Sequence, residues 1–93
     1  MVIGLVTLEL HLSHARSLKD KRQVLERVKG RLRARFNVAV AELDHQELWQ
    51  RATLGIVSIS SDQAHLARLL EVVASESERL LGGDLVGSQI EFL

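Results

Sequence analysis

The sequence contains no cysteine, no proline and no tyrosine, and only one tryptophan and two phenylalanines. Without cysteine the chain can form no disulfide, no thiolate nucleophile and no cysteine-ligated zinc site, a composition typical of cytosolic proteins. We therefore expect a cytoplasmic location. The small number of aromatic residues also leaves few side chains on which nucleic-acid bases could stack.

The motifs that mark many enzyme and cofactor sites are absent too. The chain has no nucleophile elbow, G-x-S-x-G, and neither of the glycine-rich phosphate-binding patterns, G-x-x-x-x-G-K-[ST] and G-x-G-x-x-G. The four histidines lack the spacing of a metal motif, and Glu42, Asp44 and Glu47 fall in a surface hairpin, where acidic residues are common. We predict a protein that is not an enzyme and that has neither a cofactor nor a metal.

Long apolar runs are missing as well. The longest ones are short and interrupted, and residues 1–12 lack the basic start and the cleavage site of a secretory signal. We therefore expect no membrane span and no membrane partner. With 46% hydrophobic residues, the 93 residues suit one globular domain, residues 1–93.

Strand and helix patterns fill the chain from end to end. Period-two alternation predicts strands, and apolar residues at spacings of three and four predict helices. The predicted elements are, in order, strand Val2–Leu12, helix Ser17–Phe36, strand Asn37–Leu43, strand Arg51–Ser60, a helix that begins at Ser61 or Asp62 and stops at Gly82-Gly83, and strand Leu85–Leu93. In the last strand, the alternation predicts four side chains on the inner face, those of Val86, Ser88, Ile90 and Phe92.

This β-α-β-β-α-β order predicts an α+β fold. Two split βαβ units with right-handed crossovers give a four-stranded antiparallel sheet with both helices on one face, the ferredoxin-like sandwich. The other face of the sheet stays open. Its predicted residues are Ile3 and Leu5 together with members of the sets Ala39/Ala41/Leu43 and Val57/Ile59.

The open face is apolar, and exposed apolar patches usually mark association. We predict a homodimer interface that includes Ile3, Leu5 and Trp49. The alternative is a monomer in which Trp49 folds onto its own core. A small-ligand sensor at a dimer seam is a third possibility, for which the sequence names no pocket residues.

Most of the positive charge lies in one helix. Residues 16–35 contain nine basic and two acidic residues, a local net charge of +7, whereas the rest of the chain carries three and ten, a net of −7. The formal net charge of zero therefore conceals a strong asymmetry, which favours a polyanionic partner for one face of the molecule.

Nucleic acid is one candidate for that polyanion. Neither central strand offers aromatic residues for base stacking, so RNA would be bound through phosphate contacts from the helix and the preceding loop. The candidate phosphate-contacting residues are Arg16, Lys19, Lys21, Arg22, Arg27, Arg31 and Arg35. The alternatives are a solvated basic face, or neutralisation within the fold by Glu71, Glu76 and Glu78 of the second helix.

Two stretches carry a resemblance to a known family, namely SLKDKR at Ser17–Arg22 and FNVAVAELDHQELWQRATLGI at Phe36–Ile56. The chain resembles, over essentially its whole length, the YlxP-like family of small bacterial proteins of unknown function. The resemblance implies a ferredoxin-like fold and a bacterial cytoplasmic protein whose gene often lies among translation-factor and ribosome-maturation genes. It supplies no catalytic residues. The matching positions are Ser17, Leu18, Lys19, Lys21, Arg22, Phe36, Asn37, Val38, Glu42, Trp49 and Arg51.

Two functional hypotheses remain open at this stage. The leading one is a non-enzymatic RNA- or ribosome-associated module that contacts phosphates through its basic first helix. The second is a dimeric protein-interaction or regulatory module that uses the open sheet face.

Overall fold

The computed structural model of the protein describes residues 1–93 and contains four strands and two long helices. Along the chain they are β1 (Val2–His11), α1 (Leu18–Arg35), β2 (Ala39–Asp44), β3 (Arg51–Ser60), α2 (Gln63–Leu81), a short 3-10 helix (Gly82–Asp84) and β4 (Leu85–Phe92). The predicted order of elements is confirmed, with boundaries that differ by one or two residues.

The four strands form one antiparallel sheet in the order β2-β3-β1-β4. Residues of both helices belong to the same buried cluster as the inner face of the sheet. The architecture is the predicted ferredoxin-like α+β sandwich, in which two βαβ units interlock. Neither helix is long and apolar enough to cross a membrane.

The core lies between the helices and the inner face of the sheet. On β1, Val6, Leu8 and Leu10 are buried, as the alternation predicted. Both helices contribute apolar stripes at spacings of three and four, and their buried apolar residues are Leu25, Val28, Leu32, Leu66, Leu70, Val73 and Leu81.

Local side-chain caps fix where the helices begin. The hydroxyl of Ser17 accepts a hydrogen bond from the Asp20 N–H at 3.0 Å, and the Asp20 carboxylate accepts one from the Arg16 N–H at 2.9 Å. This arrangement resembles a capping box that uses aspartate in place of glutamate. At the second helix the Asp62 carboxylate accepts from two N–H groups, those of Ala64 and His65, so Asp62 and not Ser61 is the cap.

The last strand departs from its predicted alternation. Val86 was expected on the inner face, but its side chain is 63% exposed. The register between β1 and β4 shifts between Glu9 and Leu10, so that Leu10 pairs with Leu85 and not with Val86. The extra residue at this bulge puts Leu85 against the core and leaves Val86 exposed. Beyond the bulge the prediction holds for Ile90, which packs against the core opposite Val6.

The open sheet face has the predicted composition. Ile3 lies opposite Ile59, and Leu5 lies opposite Val57, which in turn lies opposite Ala39. These residues form neighbouring rows across the three strands. Ile59 is 56% exposed, whereas Ile3, Leu5 and Val57 are half-buried by their neighbours.

A candidate nucleic-acid interface on the first helix

Helix α1 and the connection before it carry a group of exposed cations without acidic partners. Each of these side chains is exposed, and none has a carboxylate oxygen within 4.0 Å. They are Arg16, Lys19, Arg22, Arg27, Arg31 and Arg33, and we call them the unpaired cations. Five of them belong to the predicted phosphate-contacting set, and Arg33 is an addition that the local charge count had included.

Lys21 does not belong to this group. Its side chain is 1% exposed, and its ammonium lies 2.8 Å from Glu42 Oε2. The three ammonium protons have acceptors in the backbone carbonyls of His45 at 2.7 Å, Leu48 at 2.7 Å and Arg51 at 3.1 Å. Since a lysine has only three protons to donate, no donor is left for a phosphate. The prediction that Lys21 contacts phosphate is therefore corrected.

Arg35, at the other end of α1, is neutralised by the second helix. Its guanidinium lies 2.7 Å from Glu76 Oε2, and the Glu76 carboxylate is also hydrogen-bonded to Arg79. The pKa of Glu76 lies below its ordinary value of 4.5, chiefly because Arg79 donates hydrogen bonds to the carboxylate. Burial raises this pKa, and the charges of Arg79 and Arg35 lower it further. Glu76 is thus occupied by two arginines. Glu71 and Glu78 form no ion pair with α1.

Neutralisation within the fold is therefore limited. Lys21 is compensated by Glu42, Lys29 by Glu26 at 3.4 Å, and Arg35 by Glu76. Neutralisation of α1 by acids of the second helix, the alternative named above, therefore occurs only at Arg35. Arg27 and Arg31 lie four residues apart without an acidic neighbour, an arrangement of like charges that destabilises a helix by a few tenths of a kcal/mol, about 0.2–0.5.

The loop between β2 and β3 is fixed against the start of α1. Besides the bonds from Lys21, the Gln50 side-chain amide donates to the carbonyls of Ser13 at 3.2 Å and Ala15 at 3.1 Å, in the connection that precedes the helix. His45 adopts a left-handed backbone conformation, with φ of 64°, that closes the turn. These contacts were not predicted, because they join segments that are distant in the sequence.

Trp49 projects from this loop. Its side chain is 53% exposed, and the neighbouring Leu48 is also exposed. Trp49 is therefore not folded onto the core, which was the alternative to its predicted place in an interface. The sequence places the tryptophan in a loop, but only the structure shows that Lys21 holds that loop in position.

A shallow cavity of about 250 Å³ adjoins the unpaired cations. It is lined by Leu12, His14, Ala15, Asp20, Gln23, Val24 and Arg27. Its one acid, Asp20, already accepts from the Arg16 N–H, and its one fixed cation is Arg27. Elsewhere, no three histidine or acidic side chains lie close enough together to hold a metal ion.

These features define a ferredoxin-like α+β protein whose first helix exposes uncompensated positive charge. Residues 3–89 match the family described as protein of unknown function (DUF503), and the chain belongs to that family. Over 72 residues it is 38% identical to the uncharacterized protein YlxP of Bacillus subtilis (strain 168), an alignment that covers 77% of this chain and 78% of that protein. The resemblance drawn from the two sequence motifs is confirmed.

Two solved structures share the fold. The de novo designed protein Foldit4 superposes with a TM-score of 0.56 at 14% identity, over 99% of this chain and 94% of that one. A Bordetella bronchiseptica protein, described as an antibiotic biosynthesis monooxygenase, superposes with a TM-score of 0.50 at 18% identity, over 100% and 96% of the two chains. At these identities the likeness concerns the fold alone.

Proposed function

We propose that this protein is a non-enzymatic RNA- or ribosome-associated module that contacts phosphates through α1 and the connection before it. The observation that carries the proposal is the set of six exposed cations without acidic partners, gathered on one helix and its leading connection. Clustered Lys and Arg side chains release counterions from a nucleic-acid backbone when they bind, which provides affinity without base recognition.

The placement of the aromatic residues supports backbone contacts over base stacking. The open face of β1 and β3 carries aliphatic side chains at one end and the hydrogen-bonded Glu9 and Thr53 toward the other. The three aromatic residues lie elsewhere: Phe36 against the core, Trp49 in the β2–β3 loop and Phe92 at the end of β4. Bases thus have no platform on the sheet. We expect binding that weakens steeply with salt and shows little sequence preference.

The first experiment is sedimentation of the protein with purified ribosomal subunits at low and at high salt. The test variant is Arg27→Gln/Arg31→Gln, which removes two unpaired cations from the exposed side of α1. The matched control is Lys29→Gln/Arg35→Gln, which removes two cations from the same helix that are already paired with Glu26 and Glu76. Each unpaired cation that contacts phosphate should lower the slope of log affinity against log salt by about 0.7–0.9.

The two variants give distinguishable outcomes. Salt-sensitive co-sedimentation that is lost in the test variant and largely kept in the control supports the proposal. Equal co-sedimentation of the wild-type protein and the test variant would contradict it, as would no co-sedimentation at low salt. In either contrary case the protein partner described next becomes the better candidate.

A second candidate function is a dimeric protein-interaction or regulatory module. The observation that favours it is the apolar open face, which includes a shallow cavity of about 400 Å³ lined by Ile3, Asn37, Val38, Ala39, Val57, Ser58 and Ile59. Aliphatic residues gathered on an exposed sheet face are typical of an association surface.

Sedimentation equilibrium together with an RNA-free pull-down tests the second candidate. A lysine at the centre of a packed interface would be buried without a partner, so Ile59→Lys should convert a dimer into a monomer. Val72→Lys, at an exposed position on α2, is the control. A wild-type protein that stays monomeric at every concentration would exclude the dimer.

A further inference from the structure

Strand β4 forms one edge of the sheet and is uncovered along that edge. It pairs only with β1, and no side chain donates to or accepts from its outer backbone groups. Proteins commonly protect such edges with proline, lysine or a covering loop. The stretch from residue 82 to residue 93 contains neither proline nor a basic residue.

The register shows which backbone groups point outward. The Leu93 N–H donates to the Ile3 carbonyl at 2.9 Å, so Leu93 and, in steps of two, Glu91 and Gln89 direct their backbone groups toward β1. The intervening residues Ser88, Ile90 and Phe92 then direct theirs away from the sheet. Three N–H groups and three carbonyls are thereby left for another strand.

A groove runs beside this edge. A cavity of about 380 Å³ lies between α2 and β4, lined by Ala74, Glu78, Gly82, Leu85, Val86, Gly87 and Ser88. Ala74 and Glu78 share one side of α2 with Ala67 and Glu71, since the four recur at spacings of three and four. The small alanines leave room for a neighbouring chain, and Val86 offers it an exposed apolar contact.

The groove is acidic. Glu71 and Glu78 are exposed and have no cationic partner, and Asp84 directly precedes β4. Glu91 lies near the other end of the strand, on the opposite face of the sheet, where it pairs with Leu5. The cations on the exposed side of α2 are Arg68, one turn before Glu71, and Arg79, which is bonded to Glu76. Uncompensated negative charge therefore lies on α2 beside the open edge, whereas the unpaired cations belong to α1 and the connection before it.

We propose that the free edge of β4 is a docking site for an extended basic peptide segment of a protein partner, which adds a fifth strand to the sheet. The backbone of the segment pairs with the outward groups of Ser88, Ile90 and Phe92. Every second side chain of the bound segment faces α2. An arginine or lysine at these positions reaches Glu71 or Glu78, and its aliphatic part packs on Val86. The site does not involve α1, so this inference is independent of the proposed phosphate contacts.

Charge argues against a second copy of this chain as the occupant. Antiparallel pairing of β4 with its counterpart about a twofold axis would set the two α2 helices side by side on the same face of a continuous sheet. Glu71 and Glu78 of one copy would then face the same glutamates of the other. Like charges in such a contact oppose association, whereas a basic segment relieves the repulsion between them.

The experiment uses the full chain and a seven-residue peptide with capped ends, in which arginine alternates with threonine and valine. Binding is measured by calorimetry, and amide exchange is followed by NMR. We expect the peptide to bind and to slow exchange at Ser88, Ile90 and Phe92. A peptide with glutamate in place of arginine should bind at least about tenfold more weakly. A peptide N-methylated at alternate residues, which cannot pair along one edge, should not bind.

Two protein variants test the two halves of the proposal. Glu71→Gln/Glu78→Gln should weaken binding of the arginine peptide about tenfold, whereas Glu26→Gln/Glu47→Gln, which removes two exposed acids elsewhere, should not. Ser88→Pro removes an outward N–H that the pairing with β1 does not use, so the fold is kept and binding is lost. A melting curve checks that it is folded.

Three results would overturn the proposal. The first is equal binding of the arginine and glutamate peptides, which would exclude the acidic groove. The second is binding of the arginine peptide without protection of the β4 amides, which would place the contact elsewhere. The third is a concentration-dependent dimer of the free protein that Ser88→Pro abolishes, which would assign the edge to a second copy.

Discussion

Lys21 connects the first helix to a loop that begins 24 residues further along the chain. Its buried ammonium forms an ion pair with the half-buried Glu42, whose inward oxygen Oε2 has no conventional hydrogen-bond partner. Removing two charges from water costs free energy, and their attraction in good geometry does little more than offset this cost. Such a pair therefore adds little to the free energy of folding and mainly fixes one arrangement of the loop. Here that arrangement is the one that holds Trp49 at the surface.

The first prediction concerns removal of this ammonium. Lys21→Met should lower the free energy of unfolding by about 3 kcal/mol, because it leaves a half-buried carboxylate and three backbone carbonyls without their cation. Urea denaturation measures the change. Lys19→Met, two residues earlier and exposed without a partner, should change stability by no more than about 0.5 kcal/mol. Equal effects of the two variants would show that the loop does not depend on Lys21.

The double variant Lys21→Met/Glu42→Leu separates the pair from its surroundings. Removal of both charges relieves the unpaired carboxylate, so the double variant should be more stable than Lys21→Met alone. Amide exchange in residues 45–50 should remain faster than in the wild-type protein, because the loop carbonyls still lack their donor.

The second prediction concerns Glu76 and pH. Arg79 and Arg35 hold its pKa below 4.5 in the folded protein, so ionised Glu76 stabilises the fold at pH values above 4.5. This contribution is lost as the pH falls through the lowered pKa of the folded state. The wild-type protein should therefore melt at a higher temperature than Glu76→Gln near neutral pH, and the difference should vanish in acid. Glu78→Gln, which removes an exposed carboxylate without an ion pair from the same helix, is the matched control.

The burial of Lys21 could be predicted from the sequence only in part. Its position at spacings of three and four with Leu18, Leu25 and Val28 placed it on the apolar side of α1, which indicated burial. A buried lysine needs acceptors, and these come from a loop whose path no local pattern specifies. The same residue was therefore counted among the exposed cations, and the contacts in the structure correct that count.

At the scale of whole elements, the two helical stripes and the alternation of β1 and β3 were predicted correctly, because each depends on a period that the sequence displays. The register of β4 was not, since a bulge depends on how two distant strands meet. The resulting exposure of Val86 contributes to the groove beside α2. The sequence indicates the positive charge of α1, but which of its cations are paired depends on where Glu26, Glu42 and Glu76 lie in space.

The third prediction contrasts two glycines in regular elements. Gly30 lies on the exposed side of α1, and a β-carbon there would meet no atom within 4 Å. Gly30→Ala should therefore stabilise the protein by about 1 kcal/mol, the difference in helix propensity. At Gly4 a β-carbon would overlap Leu70 Cδ1, so Gly4→Ala should destabilise the protein because the buried side chains of Leu70 and Leu66 must move.

Thermal denaturation of the two variants measures both effects. A stabilised Gly30→Ala would also show that the glycine is not required by close packing of another backbone against α1. If Gly4→Ala were as stable as the wild-type protein, the contact between α2 and the sheet would be looser than the structure shows.

On the scale of the whole molecule, the zero net charge conceals an uneven distribution. The unpaired cations lie on α1 and its leading connection, whereas the acids of α2 and β4 that no Lys or Arg neutralises are Glu71, Glu78 and Glu91. Further unpaired acids lie on β1 and in the β2–β3 loop, at Glu9 and Glu47. The fold produces this distribution, because α1 packs on β2 whereas α2 packs mainly on β1. The ion pair between Arg35 and Glu76 is the one that links the two helices. The sequence predicted the asymmetry, but the partners of the two faces do not follow from the fold.

The last prediction is that this neutral protein binds both to heparin and to an anion exchanger at pH 7. The molecule extends 42 × 21 × 20 Å, and electrostatic interactions in about 0.1 M salt decay over about 10 Å, so each matrix senses mainly the face nearest to it. Compared with the wild-type protein, Arg27→Gln/Arg31→Gln should elute from heparin at a lower salt concentration. Its elution from the anion exchanger should not move to lower salt. Glu71→Gln/Glu78→Gln should show the opposite pattern. If either variant changed elution from both matrices equally, net charge and not separate faces would govern binding, and neither proposed surface could act alone.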